Sequence, residues 1–142
     1  MNSNNHITVD QIKNDAEVIK KELVEWRHYL HAHPELSFKE ERTTHYIVNK
    51  LKNFGYTDIQ IGFGPLKTGV MVEIGSGRPC VMLRADIDAL PIQEQTGVEF
   101  CSQSKGVSHA CGHDAHITNL LGVAKLLKKY ENSIKGRVKL LF

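Results

Sequence analysis

Cysteine is scarce in this sequence, with only Cys80, Cys101 and Cys111 among 142 residues. So odd and sparse a set excludes a disulfide framework as the source of stability and leaves a thiol free for chemistry. Nowhere do apolar residues run to the roughly 20 in succession that a membrane span needs, so no membrane partner is expected. The N-terminal stretch MNSNNHITVD is polar where a secretory signal would be basic and then apolar, which predicts a cytoplasmic protein. Charge of one sign is also missing. Eighteen Lys and Arg against 16 Asp and Glu leave a formal +2, and without a basic excess no nucleic-acid partner is expected. Internal repeats and low-complexity segments are absent.

What remains is a composition that is 41% hydrophobic and 24% charged, enough for one modest core. After a short polar tail, Ile12, Ile19, Leu23, Trp26 and Leu30 fall on one helical face, and the helix they predict ends near His33-Pro34. Ser37 with Glu40 reads as a capping box for a second helix, whose apolar face is Tyr46, Ile47, Leu51 and Phe54 and whose stop is Gly55. The stretches 58–61, 70–74 and 80–83 are short, β-favouring and separated by glycine and proline, which predicts strands. An irregular region from about Pro91 to His109 follows. Ile117, Leu120, Leu121, Ala124 and Leu127 then mark a third helix closing in lysines that suit its C-terminal pole. Val138 to Phe142 is a last, strongly apolar strand. The alternation predicts a layered α/β domain, with too few strands for a sheet covered on both faces. Ending on a core strand predicts a partial domain.

The densest chemistry lies in His109-Ala110-Cys111-Gly112-His113-Asp114-Ala115-His116, with four potential metal ligands in eight residues. Thiolate and imidazole both suit zinc, and in an extended loop residues two apart such as Cys111 and His113 point the same way, to grip one metal or a pair. Asp114 either caps the third helix or orients a ligating imidazole. A closed structural zinc site built from His109, Cys111, His113 and His116 is a further reading, and plain surface histidines another. Arg84-Ala85-Asp86-Ile87-Asp88-Ala89-Leu90-Pro91 places two carboxylates two apart at a strand end, where they share a face and can orient metal ligands. Alternatively Asp86 pairs with Arg84 while Asp88 caps the turn before Pro91. In Trp26 to Phe38, His28 and His31 can share a helical face and read, with His33, as structural or surface residues.

Taken together, WRHYLHAHPELSF, LRADIDALP, HACGHDAH and GRVKLLF, in this order, resemble the amidohydrolase branch of the zinc-dependent aminoacylase and carboxypeptidase-like metallopeptidases. That branch includes hippurate hydrolases, N-acetyl-diaminopimelate deacetylases and auxin-conjugate hydrolases. The resemblance implies the N-terminal part of a layered α/β/α zinc-exopeptidase-like catalytic domain over 1–142. It implies Cys111 and His113 as ligands in a site of two divalent metals (zinc, manganese, cobalt or nickel), Asp88 as a supporting residue, and Asp86 and Asp114 as candidates to orient the ligands. Asp86 stands where the carboxypeptidase-like branch has a histidine ligand. It also implies hydrolysis of N-acyl amino acids or small peptides by a homodimer in the complete family form. The family's glutamate pair, with the general base, its later histidines and its inserted dimerisation domain lie beyond Phe142. The expectation is therefore an enzyme fragment inactive by itself and prone to association, set against a non-catalytic module that binds metal or a partner.

Overall fold

The strand-like stretches pair into one four-stranded sheet in the computed structural model, which describes residues 7–63 and 65–142. Most of the polar N-terminal tail thus lies outside the described residues. Helices α1 (Val9–Val18), α2 (Lys20–Ala32) and α3 (Glu41–Phe54) precede strands β1 (Ile59–Ile61), β2 (Val70–Ser76) and β3 (Cys80–Arg84). Helix α4 (His113–Lys129), a 3-10 turn (Glu131–Ser133) and β4 (Gly136–Leu141) complete the chain. The sheet order is β1-β2-β4-β3, with β3 parallel to β4 and the other pairs antiparallel.

Register and side-chain alternation assign one face of the sheet to the core. Val72 stands opposite Leu140, which stands opposite Leu83, and Ile74 opposite Val138, which faces Val81. Paired residues share a face, so this row is apolar from β2 to β3. Trp26 and Leu30 of α2, Ile47 and Leu51 of α3, and Ile117 and Leu121 of α4 pack with Val70, Val72, Ile74 and Leu140 in one cluster. Leu30, Ile47, Leu51, Ile117 and Leu121 are almost wholly buried, each contributing about 2 kcal/mol of transfer free energy. On the opposite face Glu73 takes Lys139 at 2.7 Å and Arg137 at 3.4 Å. Among the described residues, helices cover one face of the sheet only.

Three local expectations are corrected. The predicted first helix is broken at Ile19 (φ −89°, ψ 0°) into α1 and α2. The Ser37/Glu40 capping box does not form: Glu40 caps with no side-chain bond, and Ser37 instead donates to Asp88. Glu35 takes over, its carboxylate accepting the Arg42 and Thr43 backbone N–H groups at the open end of α3. The third helix starts four residues earlier than its apolar pattern suggested, at His113. The apolar C-terminal strand β4 is interior, flanked by β2 and β3, as a core strand should be, and β3 is the strand left at that edge.

Candidate metal centre

Past Arg84 the chain stays extended, and Ala85, Ile87 and Ala89 are buried while Asp86 and Asp88 between them reach the surface. This period-two alternation puts both carboxylates on one face, as their spacing predicted. The segment is anchored on one side by Ala85 N–H donating to the Leu141 carbonyl and on the other by Ala89 N–H donating to that of Glu35. It therefore lies just beyond the C-terminal ends of the parallel pair β3 and β4, where α/β sheets leave a crevice.

The other half of the centre comes from the first turn of α4. Gly112 immediately before it has φ 101°, a left-handed conformation that turns the chain into the helix and that L side chains resist. His113 is already helical, so Cys111 and His113 do not have the extended i, i+2 relation; the residues sharing a helix face are His113 and His116. Their rings lie 5.4 Å apart, tilted by 26°. His113 Nδ1 sits 2.9 Å from Asp88 Oδ1 and 3.0 Å from the Asp88 carbonyl oxygen. Both are acceptors, so Nδ1 is the donor and Nε2 is left as the nitrogen available to a ligand. Nε2 faces Asp86 Oδ2 at 3.7 Å, and Asp86 Oδ1 pairs with His116 Nδ1 at 2.7 Å.

Asp86, His113 and His116 each offer a ligand atom within 4.8 Å of the others. Two imidazoles and a carboxylate form a mixed N/O donor set that suits zinc and its first-row neighbours. The Asp88–His113 pair is the carboxylate–histidine arrangement that fixes a ligating ring. The hydrogen bond from His116 holds the Asp86 carboxyl below its usual range against the opposing effect of burial. For Asp88, burial pushes upward, but the hydrogen bonds from Ser37 and His113 outweigh it and the net shift is downward. Both carboxylates are thus charged where a cation would sit. The residues present fit a metal ion.

The remaining sequence candidates separate. Cys111 is exposed with a free thiol and contributes no atom to the three-residue group. Arg84 approaches Asp86 only at 3.8 Å, and Asp88 engages His113 and Ser37 rather than the turn before Pro91. His109 is buried with neither ring nitrogen bonded among the described residues, and burial pulls its pKa down to about 4. The four-residue zinc cluster is therefore not assembled. Asp114 does not cap α4 from outside. It is completely buried, accepting from Arg27 Nε at 2.9 Å and His31 Nδ1 at 2.7 Å. The other nitrogen of His31 meets Glu94 at 2.9 Å, and Glu94 also accepts from Ser102 N–H at 2.6 Å. This chain of bonds ties α2, the 92–108 loop and the start of α4 together and so fixes the turn that carries His113 and His116. Sequence reasoning named His116 only within the four-residue zinc reading, and it missed the site roles of Ser37 and Glu94. The His-x-x-His spacing of 113 and 116 was a usable signal; the other two gave none.

The profile of Peptidase family M20/M25/M40 matches residues 82–142. The chain is 43% identical to an N-acyl-L-amino acid amidohydrolase of Geobacillus stearothermophilus, over 96% of this chain and 36% of the relative. It is 50% identical to an N-acetyl-L-cysteine deacetylase of Bacillus subtilis, over 87% of this chain and 30% of the relative. The chain therefore spans about a third of the length of these relatives. Among solved structures, a dinuclear metal binding peptidase of the M20 family from Bacillus subtilis superimposes with a TM-score of 0.78 at 45% identity, covering 89% of this chain and 35% of that one. A structure from methicillin-resistant Staphylococcus aureus superimposes with a TM-score of 0.86 at 41% identity, covering 94% and 36%. The shared fold, the metal-compatible centre and these likenesses agree: over residues 82–142 the chain is similar to peptidase family M20/M25/M40, and over most of its length it is similar to part of the amidohydrolase, deacetylase and peptidase above.

Proposed function

We propose that this chain supplies the N-terminal half of the metal centre of a hydrolase that cleaves the amide bond of N-acyl amino acids or small peptides. The observation that carries this reading is the Asp88–His113 pair set against Asp86 and His116 at the C-terminal ends of β3 and β4. His113, through Nε2, with Asp86 and His116 would hold a divalent ion, while Asp88 keeps the His113 ring oriented and its Nδ1 protonated. Cys111, one residue ahead of the turn, adds a soft thiolate donor, and in the complete enzyme it joins His113 in a site of two metals. Such an ion supplies Lewis acidity, polarising the amide carbonyl and acidifying water. Beside Asp86 and Asp88 a crevice of about 280 Å³ is walled by Phe38, Phe63, Leu66 and Phe142. Its apolar lining suits the acyl or side-chain part of the substrate and sheds water from it.

Within this reading the general base is a residue outside residues 1–142, and the chain alone turns over no amide. The complete enzyme is a homodimer. Among the described residues no helix is long and apolar enough to cross a membrane, and we assign the protein to the cytoplasm. Zinc titration against a chromophoric chelator tests the ligand assignment on the chain itself. His113→Ala is expected to weaken binding at least about 100-fold, and Asp88→Asn roughly 10- to 100-fold as the loss of an orienting partner. Unchanged affinity in His113→Ala would remove the assignment. In a version extended by the C-terminal part of a relative, Cys111→Ser should lower the bound metal from two ions to one and abolish hydrolysis of N-acetyl amino acids.

A further inference from the structure

A cavity of about 530 Å³ lies away from the metal centre, between α1, α2, α3 and the C-terminal end of α4. We propose that this groove is a binding site for an amphipathic monocarboxylate, with Lys50 holding the carboxylate and the floor of Trp26 and Phe54 receiving the apolar body. Its size falls in the range of small-molecule sites. Val18 at its margin is an exposed apolar side chain, 80% accessible.

The charge pattern specifies the ligand. Four lysines line the groove, and three of them already hold carboxylates. Lys125 grips both oxygens of Glu22 at 2.6 and 2.7 Å, Lys128 takes Glu131 at 2.7 Å, and Lys129 takes Asp15 at 2.5 Å. Lys50 has no carboxylate within 4.0 Å among the described residues. Its ammonium instead lies 4.8 Å from the Trp26 ring centroid and 5.3 Å from that of Tyr46. Ring faces attract a cation but replace its lost hydration only in part, and burial pulls the Lys50 pKa below its ordinary value. One partly desolvated ammonium with no carboxylate in contact, attracted only at longer range by Glu22 and Glu25, above an aromatic floor, matches one carboxylate carried on an apolar body. A phosphate ester would bring a second negative charge toward Glu22 and Asp15, with no free ammonium to meet it.

The groove is also separable from the metal chemistry. Lys125 follows His113 by twelve residues along α4, which at the helical rise is roughly 18 Å. Binding should therefore need no metal. Trp26 is the only tryptophan of the chain, so its fluorescence reports on the groove floor.

The experiment is a titration of the metal-free 142-residue chain, held in a chelator, with hexanoate, followed by Trp26 emission. A saturable change is expected, with hexanamide and acetate at least about tenfold weaker, because each keeps only one half of the ligand. Lys50→Met keeps the alkyl stem and removes the charge, and should weaken hexanoate at least about tenfold. Lys50→Gln serves if circular dichroism shows the methionine variant unfolded, and the hexanamide comparison needs no variant. No saturable change up to about 20 mM, equal binding of hexanamide, or unaltered binding in the Lys50 variant would each overturn the proposal. Tighter binding of hexyl phosphate than of hexanoate would overturn the carboxylate assignment.

Discussion

Glu94 is 6% exposed at its side chain and accepts hydrogen bonds from Ser102 N–H, Thr96 and His31. Burial alone would raise its pKa, but these donors outweigh it and bring the carboxyl down to about 2 from an ordinary 4.5. The folded state therefore favours the charged form. The stabilisation it gives is complete above about pH 4.5 and is lost as the pH falls towards 2. Glu94→Gln is expected to be less stable than the native chain at neutral pH by on the order of 2 kcal/mol. The gap should close between about pH 4.5 and 2. Thermal melts of both proteins across that range check this, and a gap independent of pH would show that the charge is not what matters. Nothing local in Gln93-Glu94-Gln95-Thr96 announces the role, because all of Glu94's donors but Thr96 are distant in sequence. His31 looked like a structural or surface residue; it is structural, and only the packing of α2 against α4 reveals that it lies between two carboxylates.

Among the elements, β4 depends on how its first residue is placed. Gly136 has φ 101°, and an added Cβ there would fall against the carbonyl oxygen of Pro79. That oxygen already accepts from Arg137 N–H at 2.9 Å where β3 and β4 meet. Gly136→Ala combines left-handed strain with a backbone overlap. It should cost about 2–4 kcal/mol and lower the melting temperature by roughly 5–15 °C. A shift under about 2 °C would mean that the β3–β4 junction relaxes freely. Helix and strand positions were legible because apolar periodicity survives in α2, α3 and α4 and β-favouring runs are bounded by glycine. The start of α4 was not, since His113 to His116 carries no apolar stripe until Ile117, and helical geometry there comes from the Gly112 turn and the buried Asp114. The consequence is chemical: one turn of helix replaces an extended loop, and His116 comes to share a helix face with His113.

At the scale of the molecule, β3 is one exposed edge of the sheet among the described residues. Val81, Met82 and Leu83 are each more than a third accessible, and no strand among the described residues pairs with their outer side. An apolar, unpaired edge is a template for another chain. The isolated protein is expected to associate through it, and Val81→Lys with Leu83→Lys should shift the population towards monomer in size-exclusion chromatography with light scattering. Association unaffected by these charges would place the contact elsewhere.

The sequence by itself determined the α/β class, the main helices and strands, the shared face of Asp86 and Asp88, and the stretch from His109 to His116 as the chemical centre. Each of these rests on local information: side-chain periodicity, turn residues, and spacing along an extended segment. Tertiary structure alone decided which partners meet. It paired Asp88 with His113 and Asp86 with His116, buried His31 between Asp114 and Glu94, placed β4 inside the sheet, and left Lys50 above Trp26 with no carboxylate in contact among the described residues. The physical reason is that hydrogen bonds and charge pairs between residues tens of positions apart depend on how helices and sheet pack, and no local pattern encodes that distance.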